Sequence, residues 1–229
     1  VTLFISIIFG INPQRFGRSG SKQMDLSFWK DKSVLLTGHT GFKGAWMAFL
    51  LDWLGARVTG YALQPTAEQI LFDKLRLETR IEHCVGDILD KDELRSVLKK
   101  SEVEIVIHMA AQSLVRESYK YPVETYMTNM IGTATLLDCL RSEESAIVVL
   151  VVTSDKCYAN NFSTKGFKET DNLGGSDPYS ASKASAEIIL NAYKESFFLK
   201  KNIGVASARA GNVIGGGDWS PNRLIPDTI

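Results

Sequence analysis

Cysteine is nearly missing from this chain. Cys84, Cys139 and Cys157 are odd in number, scattered and without a Cys-x-x-Cys pair. That excludes a disulfide scaffold and points to reduced thiols in a cytoplasmic protein. Histidine is as scarce: His39, His83 and His108 show no zinc-ligand spacing, so no metal is expected. An excess of one charge is missing too. The 26 basic residues equal the 26 acidic ones, and neither nucleic acid nor an anionic membrane is drawn by the chain as a whole. No apolar run reaches the roughly 20 residues of a membrane span. Residues 1–11 are almost wholly apolar, then give way to Asn-Pro-Gln-Arg and a Gly/Ser/Lys stretch ending at Gln23. A signal peptide carries a basic region before its apolar one, and none is present. Residues 1–23 therefore read as a non-native or disordered leader ahead of Met24, with a weak amphipathic anchor as the alternative.

What is present is an ordinary globular composition: 229 residues, 45% hydrophobic and 23% charged, enough for one substantial core. Apolar, β-rich runs at 33–37, 57–62, 82–85, 105–108, 147–153 and 204–208 alternate with helical patterns at 41–54, 90–99, 122–141 and 178–200. Continuous apolar strands separated by helices predict a parallel sheet covered on both faces. That is the doubly wound α/β dinucleotide-binding (Rossmann) fold, one domain over residues 24–229. Beyond Gly211 the pattern is irregular and Gly-rich, as the start of a second region would be.

The first strand pattern runs into Gly38-His-Thr-Gly41-Phe-Lys-Gly44, and a helix pattern follows. Glycines there allow a tight turn and a close approach of the backbone to a pyrophosphate, with a helix N-terminus aimed at the anion. The spacing is G-x-x-G-x-x-G, and a lone glycine triplet could be a turn only; the flanking strand and helix favour a phosphate cradle. No Lys-Ser/Thr follows the glycines, which disfavours an ATPase. The second strand ends in Ala62-Leu63-Gln64, without the acid that usually meets the adenosine ribose and without an Arg cluster for a 2′-phosphate. NAD is preferred to NADP on that weak basis. Asp87 after the third strand is a candidate acceptor for the adenine amino group, or a turn residue before Asp90.

Tyr179 and Lys183 stand four apart at the start of a helix pattern, hence on one face. An ammonium beside the phenol lowers its pKa and makes Tyr179 a base for a hydroxyl that loses hydride. The alternative is a surface aromatic–lysine pair. Upstream, Ser154-Asp155-Lys156 directly follows the fifth strand, where sites of this fold form; otherwise it is a solvated turn. Ala110 and Ala111 leave room beside the fourth strand, for cofactor or for helix packing. Asn129, inside a helix pattern, is placed to hold backbone or water. Arg116 is either functional or simply solvated.

Taken in order, Thr37-Gly-His-Thr-Gly-Phe-Lys-Gly44, His108-Met-Ala-Ala-Gln112, Tyr179-x-x-x-Lys183 and Asn212 resemble the extended short-chain dehydrogenase/reductase superfamily. Gln112-Ser-Leu-Val-Arg-Glu-Ser-Tyr119, Thr153-Ser-Asp-Lys-Cys-Tyr158 and Ala210-Gly-Asn-Val-Ile-Gly-Gly-Gly-Asp-Trp219 resemble its CDP-glucose 4,6-dehydratase branch. The resemblance covers residues 24–229. Related nucleotide-sugar dehydratases usually carry Asp-Glu where this chain has Asp155-Lys156.

The resemblance implies an enzyme that oxidises CDP-glucose at C4, eliminates water across C5 and C6, and returns the hydride to C6. Tyr179 and Lys183 would serve the redox steps, and Ser154 would bond the C4 oxygen. Asp155 would protonate the leaving hydroxyl, which calls for burial to raise its pKa. Lys156 would act as the C5 base if neutral, or steady the enolate if charged. The cofactor set would include Gly38, Thr40, Gly41, Phe42, Lys43, Gly44, Asp87, Ile88, Ala110, Ala111 and Asn129. Gln112, Ser113 and Asn212 would face substrate. The resemblance further implies a homodimer and a C-terminal substrate lobe falling largely beyond Ile229. A nucleotide-sugar epimerase or decarboxylase on the same fold, a dinucleotide-sensing binding protein and an inactive dinucleotide-binding fragment are the competing readings.

Overall fold

A computed structural model describes residues 26–143, 147–159, 166–201, 203–220 and 226–228. The expected leader, residues 1–23, lies outside them. The six strand patterns form β1 (Ser33–Thr37), β2 (Arg57–Ala62), β3 (Glu82–Val85), β4 (Ile105–His108), β5 (Ile147–Ser154) and β6 (Ile203–Ala210). They pair in parallel in the order β3-β2-β1-β4-β5-β6, the doubly wound arrangement that the alternation predicts. β6 runs longer than expected because it pairs with β5 over the full span from Ile147–Ile203 to Ser154–Ala210.

The sheet is covered on both faces, so alternate residues of one strand enter different cores. Leu35 of β1 packs in a cluster with Leu94, Leu98, Leu136, Leu140 and Leu190. Its neighbours Val34 and Leu36 pack on the other side with Ala45, Met47, Ala48 and Leu51. Those residues come from α1 (Phe42–Trp53) on one face, and from α3 (Lys91–Ser101), α6 (Gly132–Leu140) and α7 (Pro178–Tyr193) on the other. The short α2 (Leu71–Lys74), α4 (Val115–Lys120) and α5 (Pro122–Tyr126) complete the set.

Local chemistry explains the helix starts. Asp90 caps α3 by accepting from the amides of Asp92 and Glu93, and Lys99 and Lys100 sit in its last turn. Asp177 caps α7 through the Ser180 amide, with Pro178 at the first position. α1 has no side-chain cap; Gly41 precedes it, and its first amides are left for another acceptor.

Two helices differ from expectation. The pattern over 122–141 is α5, a π-helical turn at Met127–Ile131 and then α6. The pattern over 178–200 is α7 followed by a π-turn at Lys194–Phe198. A π-turn inserts a residue and rotates the side chains around it. The first one carries Asn129, which is buried and turned toward the loop after β4. A period of 3.6 residues cannot signal such an insertion, and the apolar pattern simply runs through it.

Candidate active site

The strand order reverses between β1 and β4. There, at the carboxyl ends of the strands, lies a cavity of about 1050 Å³. Ligands of open parallel sheets bind at this point because the diverging helices leave a crevice. The register brings Thr37, Tyr61 and His108 level at the crevice floor. Thr37 holds that floor together: its Oγ1 accepts from the amides of Met109 and Ala110, both at 3.1 Å, and lies 2.7 Å from His108 Nδ1. His108 Nε2 lies 3.1 Å from Thr133 Oγ1, which itself donates to the Asn129 carbonyl at 2.7 Å. The network therefore assigns the proton of His108 to Nε2, with Nδ1 accepting from Thr37. Burial, with Lys183 adding to it, pushes this imidazole down to about 3, so it is neutral at ordinary pH.

The three loop glycines differ in why they are glycine. Gly38 has φ +75°, and a Cβ there would meet the Ala110 amide nitrogen at 2.7 Å. A Cβ on Gly44 would come 2.0 Å from the Gly38 carbonyl oxygen. Gly41 is different. It has φ −73° and ψ 164°, which any residue adopts, and a Cβ would meet only the Gly38 oxygen at 3.5 Å. Nothing inside the protein requires glycine there, so the bare backbone is open to a ligand. With the uncapped start of α1 beside it, the loop fits a dinucleotide pyrophosphate.

Most candidates from the sequence meet at this cavity. Gly38, Thr40, Gly41, Phe42, Lys43 and Gly44 line it from the β1–α1 loop, and Asp87 and Ile88 from the loop after β3. Ala110, Ala111, Ser113 and Arg116 line it from beyond β4, and Ser154, Lys156, Tyr179, Lys183 and Asn212 from the opposite wall. Three candidates are not among its lining. Asn129, 2% exposed, donates to the Gln112 carbonyl and to Ser182 Oγ and accepts from the Gln112 amide. Gln112 turns its side chain to Leu114 and Thr125. Both hold the wall from behind. Asp155 stands just outside it, with Oδ1 3.2 Å from Ser154 Oγ.

Tyr179 and Lys183 are buried, 9% and 7% exposed, on one face of α7. Burial lowers the Lys183 ammonium to about 8, helped by the charge of Lys43 and opposed by Cys157 and Glu187. Lys183 is still mainly charged at neutral pH, which is the form that favours a phenolate on its neighbour, and it loses that charge in mild alkali. The burial expected of Asp155 is not found, and Lys156 is exposed beside it. β5 ends at Ser154, and the 3-10 turn Asp155–Cys157 carries both residues out to the exposed rim. Lys156 Nζ donates to Asn212 Oδ1 at 3.4 Å, and Ser154 Oγ caps the turn through the Lys156 amide.

Sequence reasoning passed over several residues. Thr37, Ser118, Thr133 and Ser182 are polar and buried; each is a hydroxyl in an apolar or helical stretch, without a spacing signal. Glu68 and Gln69 line the crevice from a loop that has no motif. The segment after Gly211 lies against α1 and α2, where the Gly216 carbonyl accepts from Trp46 Nε1 at 3.0 Å and Gly217 packs on Leu71 with φ +86°.

Residues 35–229 match the family model described as GDP-mannose 4,6 dehydratase. The chain is 47% identical over 211 residues to CDP-glucose 4,6-dehydratase of Salmonella typhimurium, covering 90% of this chain and 59% of that protein. It is 30% identical over 220 residues to dTDP-D-glucose 4,6-dehydratase of Dictyostelium discoideum, covering 86% of this chain and 47% of that protein. Among solved structures, UDP-glucose 4-epimerase from Brucella ovis in complex with NAD superposes with a TM-score of 0.65 at 26% identity, over 77% of this chain and 51% of that one. The chain thus spans about half to three-fifths of the length of these relatives. With the match running from the first strand through the whole crevice, the chain belongs to the GDP-mannose 4,6-dehydratase family.

Proposed function

We propose that this chain carries the catalytic and dinucleotide-binding part of a nucleotide-sugar 4,6-dehydratase, a hydro-lyase that converts CDP-glucose to CDP-4-keto-6-deoxyglucose. The observation that carries the reading is the meeting of Tyr179, Lys183, Ser154 and Lys156 with the glycine loop in one crevice. Identity of 47% to a CDP-glucose 4,6-dehydratase supports this nucleotide over the others.

Bound NAD supplies a reversible hydride acceptor for C4 and donor for C6. The amides at the start of α1 and the bare Gly41 backbone hold its pyrophosphate. Tyr179 takes the C4 hydroxyl proton at its phenol oxygen, and charged Lys183 stabilises the phenolate. Ser154 Oγ bonds the C4 oxygen as it becomes a carbonyl. That carbonyl acidifies C5–H; neutral Lys156 takes the proton, or charged Lys156 steadies the enolate while solvent takes it, and Asp155 gives the proton with which the C6 hydroxyl departs as water. A proton returns to C5 from the same acceptor as hydride reaches C6. Bound sugar covers the rim and supplies the burial that Asp155 lacks here. An epimerase reading uses Tyr179 and Lys183 but leaves Asp155 and Lys156 without work. NAD is favoured over NADP because Leu63 and Gln64 offer no cation to a 2′-phosphate.

Val123, Met127 and Ile131 recur at every fourth position and are exposed, as is Ile188 of α7. Exposed apolar side chains on these two helices support a homodimer that pairs them. Among the described residues no helix is long and apolar enough to cross a membrane. Cys84, Cys139 and Cys157 are free thiols, in keeping with a cytoplasmic setting.

The test is incubation with NAD and CDP-glucose, dTDP-glucose or GDP-mannose in parallel, scoring the alkaline chromophore of a 4-keto sugar. Product from CDP-glucose is expected. Product only from another nucleotide corrects the substrate, and epimerised sugar without 6-deoxy product overturns the dehydratase reading.

A further inference from the structure

The steps above use Tyr179 and Lys183 but not the next residue on that face of α7. Glu187, one turn further, is 5% exposed. Its Oε1 accepts from Thr153 Oγ1. Its Oε2 accepts from Ser207 Oγ at 2.8 Å and from Arg209 Nη2 at 3.0 Å. Thr153 and Arg209 are register partners on β5 and β6, so one carboxylate ties both strands to the catalytic helix. Thr153 directly precedes Ser154. Arg209 in turn lies 4.8 Å from the ring centroid of Tyr158 and donates to the Glu169 carbonyl at 3.1 Å. Tyr158 directly follows the Asp155–Cys157 turn. Both ends of the Ser154–Lys156 run are therefore anchored to the Glu187–Arg209 pair.

Stability alone is a poor reason for this arrangement. A buried ion pair seldom outperforms well-packed apolar residues of the same volume, because desolvation offsets the attraction. What three fixed acceptor contacts supply is geometry. Tyr179 and Lys183 sit on a helix, and Ser154 to Lys156 at a strand end. The two halves must address neighbouring carbons of one sugar, C4 for the redox pair and C5 and C6 for the elimination residues, and misplacing one half by an ångström can cost about a hundredfold in rate.

We propose that Glu187 is a positioning residue: it sets the catalytic helix against the end of β5, so that the redox pair and the elimination residues address the same sugar. The proposal rests on the reading of Tyr179 and Lys183 as the redox pair. Glu187 also faces Lys183 from its own helix and favours its charged form. The other groups that act on that ammonium are Lys43 from α1 and Cys157 from the turn after β5, with the neutral His108 from β4 beside it.

The test compares variants of the full-length protein. Glu187→Gln keeps the shape and removes the charge. It is expected to bind dinucleotide as the native protein does, with KM for CDP-glucose little changed. Single-turnover formation of NADH should slow by about tenfold to a hundredfold. The alkaline limb of that rate should move to lower pH. Lys183 should titrate lower than in the native protein when followed by NMR without cofactor. Glu187→Asp keeps the charge and shortens the reach by one methylene; it should restore the limb but not the rate. Native rate and limb in Glu187→Gln overturn the proposal, and so does full rescue of rate by Glu187→Asp, which leaves charge as the whole effect. If Glu187→Gln does not fold, Thr153→Val and Ser207→Ala each remove one tether with the ion pair intact. A slower NADH step with an unmoved limb supports the proposal, and native rates in both overturn it. Tyr179→Phe decides the underlying reading separately: if it still forms NADH, the redox pair is wrong whatever Glu187 does.

Discussion

Alanine at Gly41 and at Gly44 should have different consequences, although the two glycines stand three residues apart in one loop. At Gly44 the new Cβ would lie 2.0 Å from the Gly38 oxygen. Gly38 has little room to yield, since its amide donates to the Tyr61 carbonyl at 2.9 Å and its carbonyl accepts from the Gly41 amide at 3.2 Å. Overpacking usually costs about 1–3 kcal/mol; a clash between two backbones belongs at or above the upper end. At roughly 2–4 °C per kcal/mol for a chain of this size, Tm should fall by about 6–12 °C. At Gly41 the nearest atom is 3.5 Å away and the dihedrals suit any residue. A stiffer unfolded chain contributes about 0.4–1 kcal/mol in favour of the variant, and alanine's poor capping of α1 offsets a similar amount. Stability should therefore change by less than about 1 kcal/mol. Affinity should not be spared, because the methyl enters the space through which the pyrophosphate approaches. A loss of at least about tenfold, or 1.4 kcal/mol, is expected, and more for Gly41→Val. Thermal unfolding and NADH fluorescence titration of the same samples give both quantities. A folded Gly41→Val protein with native affinity would refute the placement of the cofactor.

Acid should destabilise the fold through its histidines. Burial holds His39 and His108 at about 3, against the ordinary 6.5, so below pH 6.5 the unfolded chain binds protons that the folded chain refuses. Stability is full above pH 6.5 and declines toward pH 3, by up to about 1.4 kcal/mol per pH unit for each imidazole; urea midpoints should show a shallower slope in His108→Asn, and an unchanged slope removes His108 from the account. Asp155→Asn and Lys156→Ala should still reduce bound NAD in a single turnover yet release no 6-deoxy product, whereas near-native product formation by Lys156→Ala would show that it is not the base. Val123→Asp with Ile188→Asp should convert a dimer to a folded monomer in sedimentation at micromolar concentration; a native protein already monomeric there defeats the dimer.

The first four strands were legible in the sequence with their boundaries, because each is a short β-rich run bounded by turn residues, although β3 at the sheet edge is not buried. The last two were legible in position but not in length, which pairing with a neighbour decides. The glycine loop and the Tyr179–Lys183 spacing were equally legible, since a tight turn and a shared helix face are local properties of a few residues. What only the tertiary structure decided is what those residues meet. Asn129 turned inward because a π-turn rotated it, and periodicity is blind to that insertion. Asp155 and Lys156 came to lie on the exposed rim, because where β5 stops depends on its pairing with β6. Gly41 and Gly44 are the same letter in the sequence; only the fold shows that one is demanded by the Gly38 carbonyl and the other leaves an open surface. Glu187 reads as one acid in an ordinary helix, and becomes an anchor for two strands only when Thr153, Ser207 and Arg209, 34, 20 and 22 places away from it, are folded around a single carboxylate.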